Sequence, residues 1–337
     1  MKTMKAAVIQ GPHNIVLQEV PYPTPGPGQV VVKVEACGVC GTDYHILEGD
    51  FLSSYPLIAG HEFSGTIHEL GPGVEHWQLA ERVAVDPSVY CGECYYCLNN
   101  QGNMCQNWNA IGVTLNGAFA EYVVVPAKNL YRLPDTMSFQ EGAFVEPLSC
   151  VVYAMRRLNI RFGDKVLLFG SGPMGLLLMQ SILKGGASEV VVVDRAEDKL
   201  TIARQLGAHK TFAGTAGLRE EYPLGFDVVI DATGVPAVIE NMFQYAGNRA
   251  KIMQFGCAPR EAKVSVSPFD IYNKDWEILG TMALLFTFYP AIHLLKNGVV
   301  VCDPLTTAEI SLDDFPAYLS QPKGSKDLKV LVRPWKK

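Results

Sequence analysis

The stretch Lys165-Val-Leu-Leu-Phe-Gly-Ser-Gly-Pro-Met-Gly175 decides the fold class of this chain. Its first five residues form a short apolar run typical of a buried strand, and the residues after it continue as an apolar helix. The turn between them fits G-x-G-x-x-G, a pattern that is weak alone but specific between a strand and a helix. Such a turn brings backbone N–H groups and the positive end of the helix dipole to the phosphates of a dinucleotide. The residues of this predicted dinucleotide site are Gly170, Gly172, Pro173, Met174 and Gly175.

The next predicted strand ends in a carboxylate that bears on the choice of dinucleotide. Asp194 closes the run Glu189–Asp194 and lies 19 residues beyond Gly175. A carboxylate there accepts hydrogen bonds from an adenine ribose and repels a 2′-phosphate, which favours NAD over NADP. Arg195 and Lys199 leave NADP open, because a nearby cation can accommodate a phosphate. NAD is therefore the expected cofactor.

The pattern of predicted strands and helices changes near Pro147. Before it, short β-like runs such as Val30–Val34 and Arg82–Val85 are separated by proline and glycine. After it, apolar strands alternate with helical stretches, which predicts βαβ units and a parallel sheet. The expected fold class is α/β, with an irregular β-barrel-like domain and a doubly wound Rossmann cofactor domain. The predicted domain boundaries are 1–148 for the first domain, 149–288 for the cofactor domain and 289–337 for a return to the first.

One short polar loop, in a predicted lobe over residues 88–108, holds four of the nine cysteines. Four thiolates that converge tetrahedrally form a structural zinc site, and metal binding can stabilise a loop that has little apolar surface. Disulfides are disfavoured because the chain is not a small, cysteine-dense secreted domain. An iron–sulfur cluster needs a shorter final gap and usually a following proline, where this chain has Gln106; chance clustering is the weakest alternative. The predicted zinc ligands are Cys91, Cys94, Cys97 and Cys105.

A second set of metal-ligand types lies elsewhere in the chain. Cys40 is followed 21 residues later by His61 and Glu62, and Glu146 lies at the predicted domain boundary. Cysteine, histidine and carboxylate are the ligands of a catalytic zinc that keeps one position open. Taken singly, His61 is more often a satisfied polar residue, and Cys40 more often a small core residue. The interpretation of Cys40 and His61 as metal ligands therefore depends on the presence of the cysteine loop and the dinucleotide pattern in the same chain.

Composition excludes several classes of function. The chain has 337 residues, of which 48% are hydrophobic and 18% charged, enough for two domains with a large core. A net charge of −6 and the lack of basic runs argue against nucleic-acid or anionic-membrane partners. The N-terminus carries no signal-like apolar run, and glycine or proline interrupts the longest apolar segments. A small molecule is the expected partner and the cytoplasm the expected compartment.

Together these motifs resemble the zinc-containing medium-chain dehydrogenase/reductase family of alcohol dehydrogenases. The chain is most similar to the polyol branch, the sorbitol- and arabinitol-dehydrogenase-like members, and the resemblance covers nearly its whole length. The motifs that carry it are Cys40-Gly-Thr-Asp-Tyr-His45, Gly60-His-Glu62, the four-cysteine lobe, Glu146-Pro-Leu-Ser149, Gly170–Gly175 and Asp231-Ala-Thr-Gly234. Simpler alcohol dehydrogenases tend to have a second cysteine where Glu146 stands, which points to secondary or polyhydroxylated alcohols.

This resemblance implies roles for individual residues. It implies a GroES-like first domain, one catalytic and one structural zinc per chain, and a homo-oligomer, either a tetramer or a dimer. Cys40, His61 and either Glu62 or Glu146 would bind the catalytic zinc. Asp43 would hydrogen-bond to His61 and fix its tautomer. The implied proton relay consists of Thr42 and His45, and the implied nicotinamide contacts are Thr233 and Gly256.

The expected reaction is oxidation of a secondary hydroxyl of a sugar alcohol, such as arabinitol, xylitol or sorbitol, to a ketone. Zinc would lower the pKa of the hydroxyl, Thr42 would pass its proton towards His45, and a hydride would move to C4 of the nicotinamide. L-Threonine 3-dehydrogenase and 2,3-butanediol dehydrogenase are the alternatives within the enzymes. A non-enzymatic NAD-binding relative is the alternative outside them, although it would be expected to lose the catalytic ligands that this chain retains.

Overall fold

A computed structural model describes residues 2–322 and 327–336 of the chain. The chain divides into two compact units. The first runs up to Ser149 and resumes at Leu284, and the second is Cys150–Ala283. The predicted domain ranges also include residues 1, 323–326 and 337, which lie outside the described residues.

Eighteen strands and eleven α-helices make up the regular structure of the described residues. The strands are β1 (Thr3–Gly11), β2 (Asn14–Pro21), β3 (Gln29–Gly38), β4 (Leu57–Ile58), β5 (Glu62–Leu70), β6 (Arg82–Val85), β7 (Ser88–Val89), β8 (Asn109–Ala110), β9 (Tyr122–Pro126), β10 (Leu130–Arg132), β11 (Lys165–Phe169), β12 (Glu189–Asp194), β13 (Lys210–Ala213), β14 (Phe226–Asp231), β15 (Ala246–Gln254), β16 (Glu277–Gly280), β17 (Thr306–Ser311) and β18 (Lys329–Arg333). The helices are α1 (Gly41–Glu48), α2 (Tyr95–Leu98), α3 (Phe139–Ala143), α4 (Val145–Leu158), α5 (Pro173–Lys184), α6 (Glu197–Gln205), α7 (Leu218–Glu221), α8 (Pro236–Met242), α9 (Pro268–Asn273), α10 (Phe288–Lys296) and α11 (Phe315–Leu319).

The first unit is built around a seven-stranded sheet with β3 at its centre. The strand order is β10-β6-β5-β3-β18-β17, and β9 also pairs with β3. β3 is rich in valine, and Val30, Val32 and Val34 are fully buried, as expected for β-branched residues on a packed pleat. β18 pairs antiparallel with β3, with Val332 opposite Cys37. The last strand of the chain is thereby brought beside the strand that leads into α1.

A parallel sheet forms the second unit. Its strand order is β13-β12-β11-β14-β15-β16, and every neighbouring pair is parallel. Continuous apolar runs such as Val166–Leu168 and Val190–Val192 are fully buried, as is typical of a sheet covered on both faces. This arrangement confirms the predicted parallel sheet. The order reverses between β11 and β14, and ligands of such sheets bind at the carboxyl ends of the strands at that point.

None of the helices within residues 2–322 and 327–336 has both the length and the apolar character needed to cross a membrane.

Candidate functional site

The four cysteines of the lobe converge. The Sγ atoms of Cys94 and Cys97 lie 3.5 Å apart, as do those of Cys91 and Cys105. The Cys91–Cys97 and Cys94–Cys105 distances are both 3.9 Å. Four sulfur atoms placed tetrahedrally at 2.3 Å from one zinc ion would be separated by about 3.8 Å. The donor set therefore fits a closed, four-coordinate zinc site.

Backbone N–H groups of the lobe point at the sulfur atoms. The amides of Cys91 and Asn107 donate to Cys105 Sγ over 3.4 and 3.3 Å. Hydrogen bonds from the amides of Cys97 and Gln106 lower the pKa of Cys94 to about 6. Since zinc binds thiolate rather than thiol, these donors favour the form that ligates. Cys97 differs, since desolvation raises the pKa of its thiol.

Cys40, His61 and Glu62 form a second potential metal-binding group. One ligand atom from each lies within 4.8 Å of the other two. Cys40 is the N-cap of α1, and its amide donates to Asp43 Oδ2 over 2.8 Å, which fixes the start of the helix. His61 and Glu62 are buried at the start of β5. A thiolate, an imidazole and a carboxylate that meet from two elements are a donor set suited to zinc.

Glu146 does not join that group, although it is close enough to act on it. It lies in the first turn of α4 and is buried. Burial alone would lower the pKa of His61, but Cys40, Asp43 and Glu146 together hold it well above its usual value. Of the two carboxylates that sequence left open as ligands, Glu62 is the one grouped with Cys40 and His61.

Glu62 forms a buried ion pair that the sequence gave no sign of. Lys329 Nζ lies 2.5 Å from Glu62 Oε2 and donates to the Val39 carbonyl over 3.2 Å. The side chains of the pair are only 4% and 2% exposed. Burial would lower the pKa of Lys329, but the negative charges of Glu62 and Cys40 outweigh it, and the net direction is upward. Lys329 therefore brings a positive charge beside the metal-ligand group.

Gly38 provides the space for this ion pair. A Cβ atom at Gly38 would lie 2.3 Å from Glu62 Oε2 and 3.3 Å from Lys329 Cδ. Any side chain there would displace the carboxylate. Because β3, β5 and β18 are neighbours in one sheet, residues 38, 62 and 329 meet although they are far apart in the sequence.

Asp43 does not make the hydrogen bond to His61 that the resemblance implied. Asp43 Oδ1 and His61 Nδ1 are 3.8 Å apart, which is too far, and both atoms are buried without a hydrogen-bond partner. The other carboxylate oxygen of Asp43, Oδ2, accepts a hydrogen bond from the amide of Cys40 instead. Its burial raises its pKa to about 6, although the charge of His61 opposes the rise. The two facing polar atoms, Asp43 Oδ1 and His61 Nδ1, are therefore close but not hydrogen-bonded.

The two predicted relay residues lie on α1. Thr42 Oγ1 is 3.7 Å from Cys40 Sγ. His45 Nδ1 is 3.2 Å from both carboxylate oxygens of Asp50 and 3.9 Å from Glu48 Oε2. Asp50 was not among the predicted site residues, and a histidine followed five residues later by an acid is the only signal in the sequence for this contact.

The glycine turn of the second unit has the geometry of a dinucleotide-binding loop. Gly170 has φ +101°, which favours glycine, and a Cβ at Gly175 would lie 2.0 Å from the Gly170 carbonyl oxygen. A Cβ at Gly172 would meet nothing within 4 Å, so the space in front of the N-cap of α5 is open. Pro173 occupies the first turn, where its missing N–H costs nothing. The turn fits a phosphate group at the helix N-terminus.

Asp194 lies at the carboxyl end of β12, as predicted, and accepts several hydrogen bonds. Ser171 donates to Oδ2 through its amide (2.7 Å) and its hydroxyl (2.9 Å), and the amide of Ala196 donates to Oδ1 (3.0 Å). Burial would raise the pKa of Asp194, but these donors outweigh it and lower the pKa. Arg195 is exposed beside it and Lys199 half-buried. Ser171 was not singled out from the sequence.

Thr233 and Gly256 belong to a buried network around Asp231. Thr233 donates through its amide and its hydroxyl to Asp231 Oδ1, and Gln254 Nε2 donates to Oδ2 over 2.9 Å. A Cβ at Gly256 would lie 2.3 Å from the amide nitrogen of Gly234. Asp231 thus holds both predicted nicotinamide-side residues at the end of β14, the strand across the switch point from β11.

Comparison with known proteins adds to this geometry. An alcohol dehydrogenase GroES-like domain matches residues 26–135, and a zinc-binding dehydrogenase domain matches residues 173–297. D-arabinitol dehydrogenase 1 of Uromyces fabae is 32% identical over 340 residues, covering 98% of this chain and 97% of that protein. (R,R)-butanediol dehydrogenase of Bacillus subtilis (strain 168) is also 32% identical and covers 98% of this chain and all of its own length.

A solved structure shares the whole fold. A Sinorhizobium meliloti 1021 protein, assigned as a zinc-binding dehydrogenase and crystallised with NADP, superposes with a TM-score of 0.96 at 36% identity. The match covers 99% of this chain and 100% of that one. Together with the domain matches, it confirms the predicted α/β class with a GroES-like part and a Rossmann-like parallel sheet.

Proposed function

This chain belongs to the zinc-containing medium-chain dehydrogenase/reductase family of alcohol dehydrogenases, and on that premise we propose that it oxidises a secondary hydroxyl group of a polyol to a ketone with NAD. The predicted reaction class, that of a dehydrogenase, is confirmed by the family. A sugar alcohol such as arabinitol, xylitol or sorbitol is the proposed substrate, because the relative from Uromyces fabae is a D-arabinitol dehydrogenase.

The observation that carries this proposal is the convergence of Cys40, His61 and Glu62 within 4.8 Å. These three residues would hold the catalytic zinc, with Glu146 acting on it through its charge. The four lobe cysteines, whose sulfur separations match a zinc tetrahedron, would hold a second, structural ion. We therefore propose two zinc ions per chain with different tasks.

When bound, zinc supplies Lewis acidity to the substrate hydroxyl, and the nicotinamide supplies the hydride acceptor. The chain's own residues hold and move the proton. With its Nδ1 3.2 Å from the Asp50 carboxylate, His45 would donate an Nδ1–H hydrogen bond to Asp50, and Nε2 would then be the nitrogen that takes up a proton. Thr42, beside Cys40, is the hydroxyl that would connect the substrate to this histidine.

Lys329 has a positioning task in this scheme. A cysteine thiolate, Glu62 and Glu146 bring three negative charges to one buried region, and like charges at close range are unfavourable. The ammonium group of Lys329 holds one oxygen of Glu62 and offsets part of that charge. It thereby fixes the orientation of the carboxylate towards Cys40 and His61.

NAD is the proposed dinucleotide, because the donors around Asp194 lower its pKa and keep a negative charge where a 2′-phosphate would lie. Gly172, with open space before α5, would lie against the pyrophosphate. Thr233 and Gly256 would lie on the nicotinamide side.

A substrate panel and one variant pair test the proposal. The protein is incubated with NAD⁺ and D-arabinitol, xylitol, sorbitol, 2,3-butanediol or L-threonine, and NADH formation is followed at 340 nm. Fastest turnover with a sugar alcohol is the expected result. Fastest turnover with 2,3-butanediol would select the second candidate function, which the Bacillus subtilis relative supports equally by identity.

Cys40→Ser should abolish turnover and lower the zinc content while NADH still binds. The matched control is Cys37→Ser, three residues away, whose thiol is fully buried and has its pKa raised by burial, so that it is a poor ligand. Full activity in the Cys40→Ser protein would contradict the proposed metal site. Equal loss in both variants would mean that the effect is one of folding.

A further inference from the structure

Asp194 Oδ2 already accepts two hydrogen bonds from its own chain. Ser171 supplies both of them, through its amide and its hydroxyl, and the amide of Ala196 supplies one to Oδ1. A carboxylate has about four lone-pair positions, so the two donors of Ser171 fill those of Oδ2. An adenine ribose that approaches Oδ2 must therefore displace a donor or share its acceptor.

The donors differ in how easily they can be displaced. Two are backbone amides, fixed by the turn after β11 and by the start of α6. The third is the hydroxyl of Ser171, which can rotate about one bond. Ser171 is fully buried. A hydroxyl that loses its acceptor inside a protein pays a desolvation penalty, because no water replaces the lost partner.

We infer that Ser171 is a specificity-determining residue for the dinucleotide: its hydroxyl competes with the adenine ribose for Asp194 Oδ2 and so weakens the preference for a cofactor with a free 2′-hydroxyl. This inference rests on the proposed dinucleotide site at Gly170–Gly175 and Asp194. The ligand class concerned is a dinucleotide that carries either a 2′-hydroxyl or a 2′-phosphate. The 2′-phosphate gains nothing from a free acceptor on Asp194, because both groups are anionic.

Ser171→Ala tests the inference without disturbing the carboxylate. The amides of Ser171 and Ala196 remain and keep Asp194 oriented, while one lone pair on Oδ2 becomes free. NADH should bind about tenfold more tightly, the effect of roughly one net hydrogen bond, and NADPH affinity should stay unchanged. The readout is the dissociation constant of each dinucleotide with the full-length protein, from the fluorescence of the bound reduced nicotinamide, without any turnover.

A second buried serine in the same unit gives a matched control. Ser181 is 8% exposed and donates its hydroxyl to the Leu177 carbonyl within α5. Ser181→Ala removes a hydroxyl of the same kind away from Asp194, so the ratio of the NADH and NADPH dissociation constants should equal that of the wild type. A similar shift in both variants would show that the effect is general loosening of the unit, and the inference would be wrong.

A double-mutant cycle shows whether the effect passes through Asp194. In an Asp194→Ala background, whose folding is checked by circular dichroism, Ser171→Ala should no longer change NADH affinity. A persistent tenfold gain there would overturn the inference, as would weaker NADH binding in the Ser171→Ala single variant. If the wild-type protein binds neither dinucleotide, the proposed function itself fails; if it binds both and the ratio ignores Ser171, only this inference fails.

Discussion

Replacing Lys329 by methionine should strongly destabilise the first unit. The ammonium group lies 2.5 Å from Glu62 Oε2, and the two side chains are 4% and 2% exposed. At that distance the attraction between unit charges is about 7 kcal/mol with an effective dielectric constant near 20. The variant also removes the cost of burying the lysine, so the net loss is smaller. Breaking a buried pair by removing one partner typically costs about 3–5 kcal/mol, and we expect a loss of that size.

A double variant separates the ion pair from simple packing. Lys329→Met with Glu62→Gln leaves no uncompensated buried charge, so most of the lost stability should return. The free energy of unfolding is measured by urea titration of the chelator-treated proteins, so that metal binding does not contribute. Lys5→Met is the surface control, because Lys5 and Asp313 form an exposed pair, and the urea midpoint should not move.

Two outcomes would refute this reasoning. If Lys329→Met loses less than about 1 kcal/mol, the pair is not held in a desolvated site. If the double variant is no more stable than the single one, the lysine acts through packing of its aliphatic stem and not through its charge. Zinc content gives an independent readout, since a freed Glu62 should lower the zinc affinity of the site without unfolding the four-cysteine lobe.

The remaining predictions concern the lobe and a buried acid. Cys105→Ser should lower the melting temperature and the zinc content while the folded fraction keeps its turnover number. A fully folded, NADH-binding but inactive variant would contradict the proposed division of tasks between the two zinc ions. Asp86 is buried, and burial raises its pKa to about 6. Folding therefore favours the protonated carboxyl, and the free energy of unfolding gained in this way is complete below about pH 4 and is lost as the pH rises through 6. Asp86→Asn should therefore gain about 3 kcal/mol relative to the wild type between pH 4 and pH 7, and parallel stability curves over this range would refute the assignment.

Much of the architecture followed from short-range patterns. β11 and β12 run over the residues predicted for them, and α5 follows the glycine turn as predicted. An apolar run that ends in a glycine turn leaves few alternatives to a strand, a phosphate-binding turn and a helix, because each step is dictated by local sterics and hydrogen bonding. The cysteine lobe was equally predictable, since four thiols within fifteen residues are joined by chain segments too short to hold them far apart.

The group of Cys40, His61 and Glu62 was predictable only in its residue types. Sequence offered Glu62 and Glu146 as equivalent carboxylates, and the structure groups Glu62 with Cys40 and His61. The expected hydrogen bond between Asp43 and His61 is absent at 3.8 Å, because the Cys40 amide holds the other oxygen of Asp43. A difference of one ångström decides that contact, and spacing along a chain does not resolve such distances.

By itself, the sequence determined the local structure of each segment: which residues form the glycine turn, which thiols lie in one loop, and which strands are apolar throughout. The tertiary structure alone decided which distant charges meet. Lys329 reaches Glu62 across 267 residues because β18 and β5 both flank β3, and Ser171 reaches Asp194 because β11 and β12 are parallel neighbours. The periodicity of apolar residues in the sequence indicates the face on which a residue lies. The residue opposite it depends on the order of the strands in the sheet, and the packing of the whole chain selects that order.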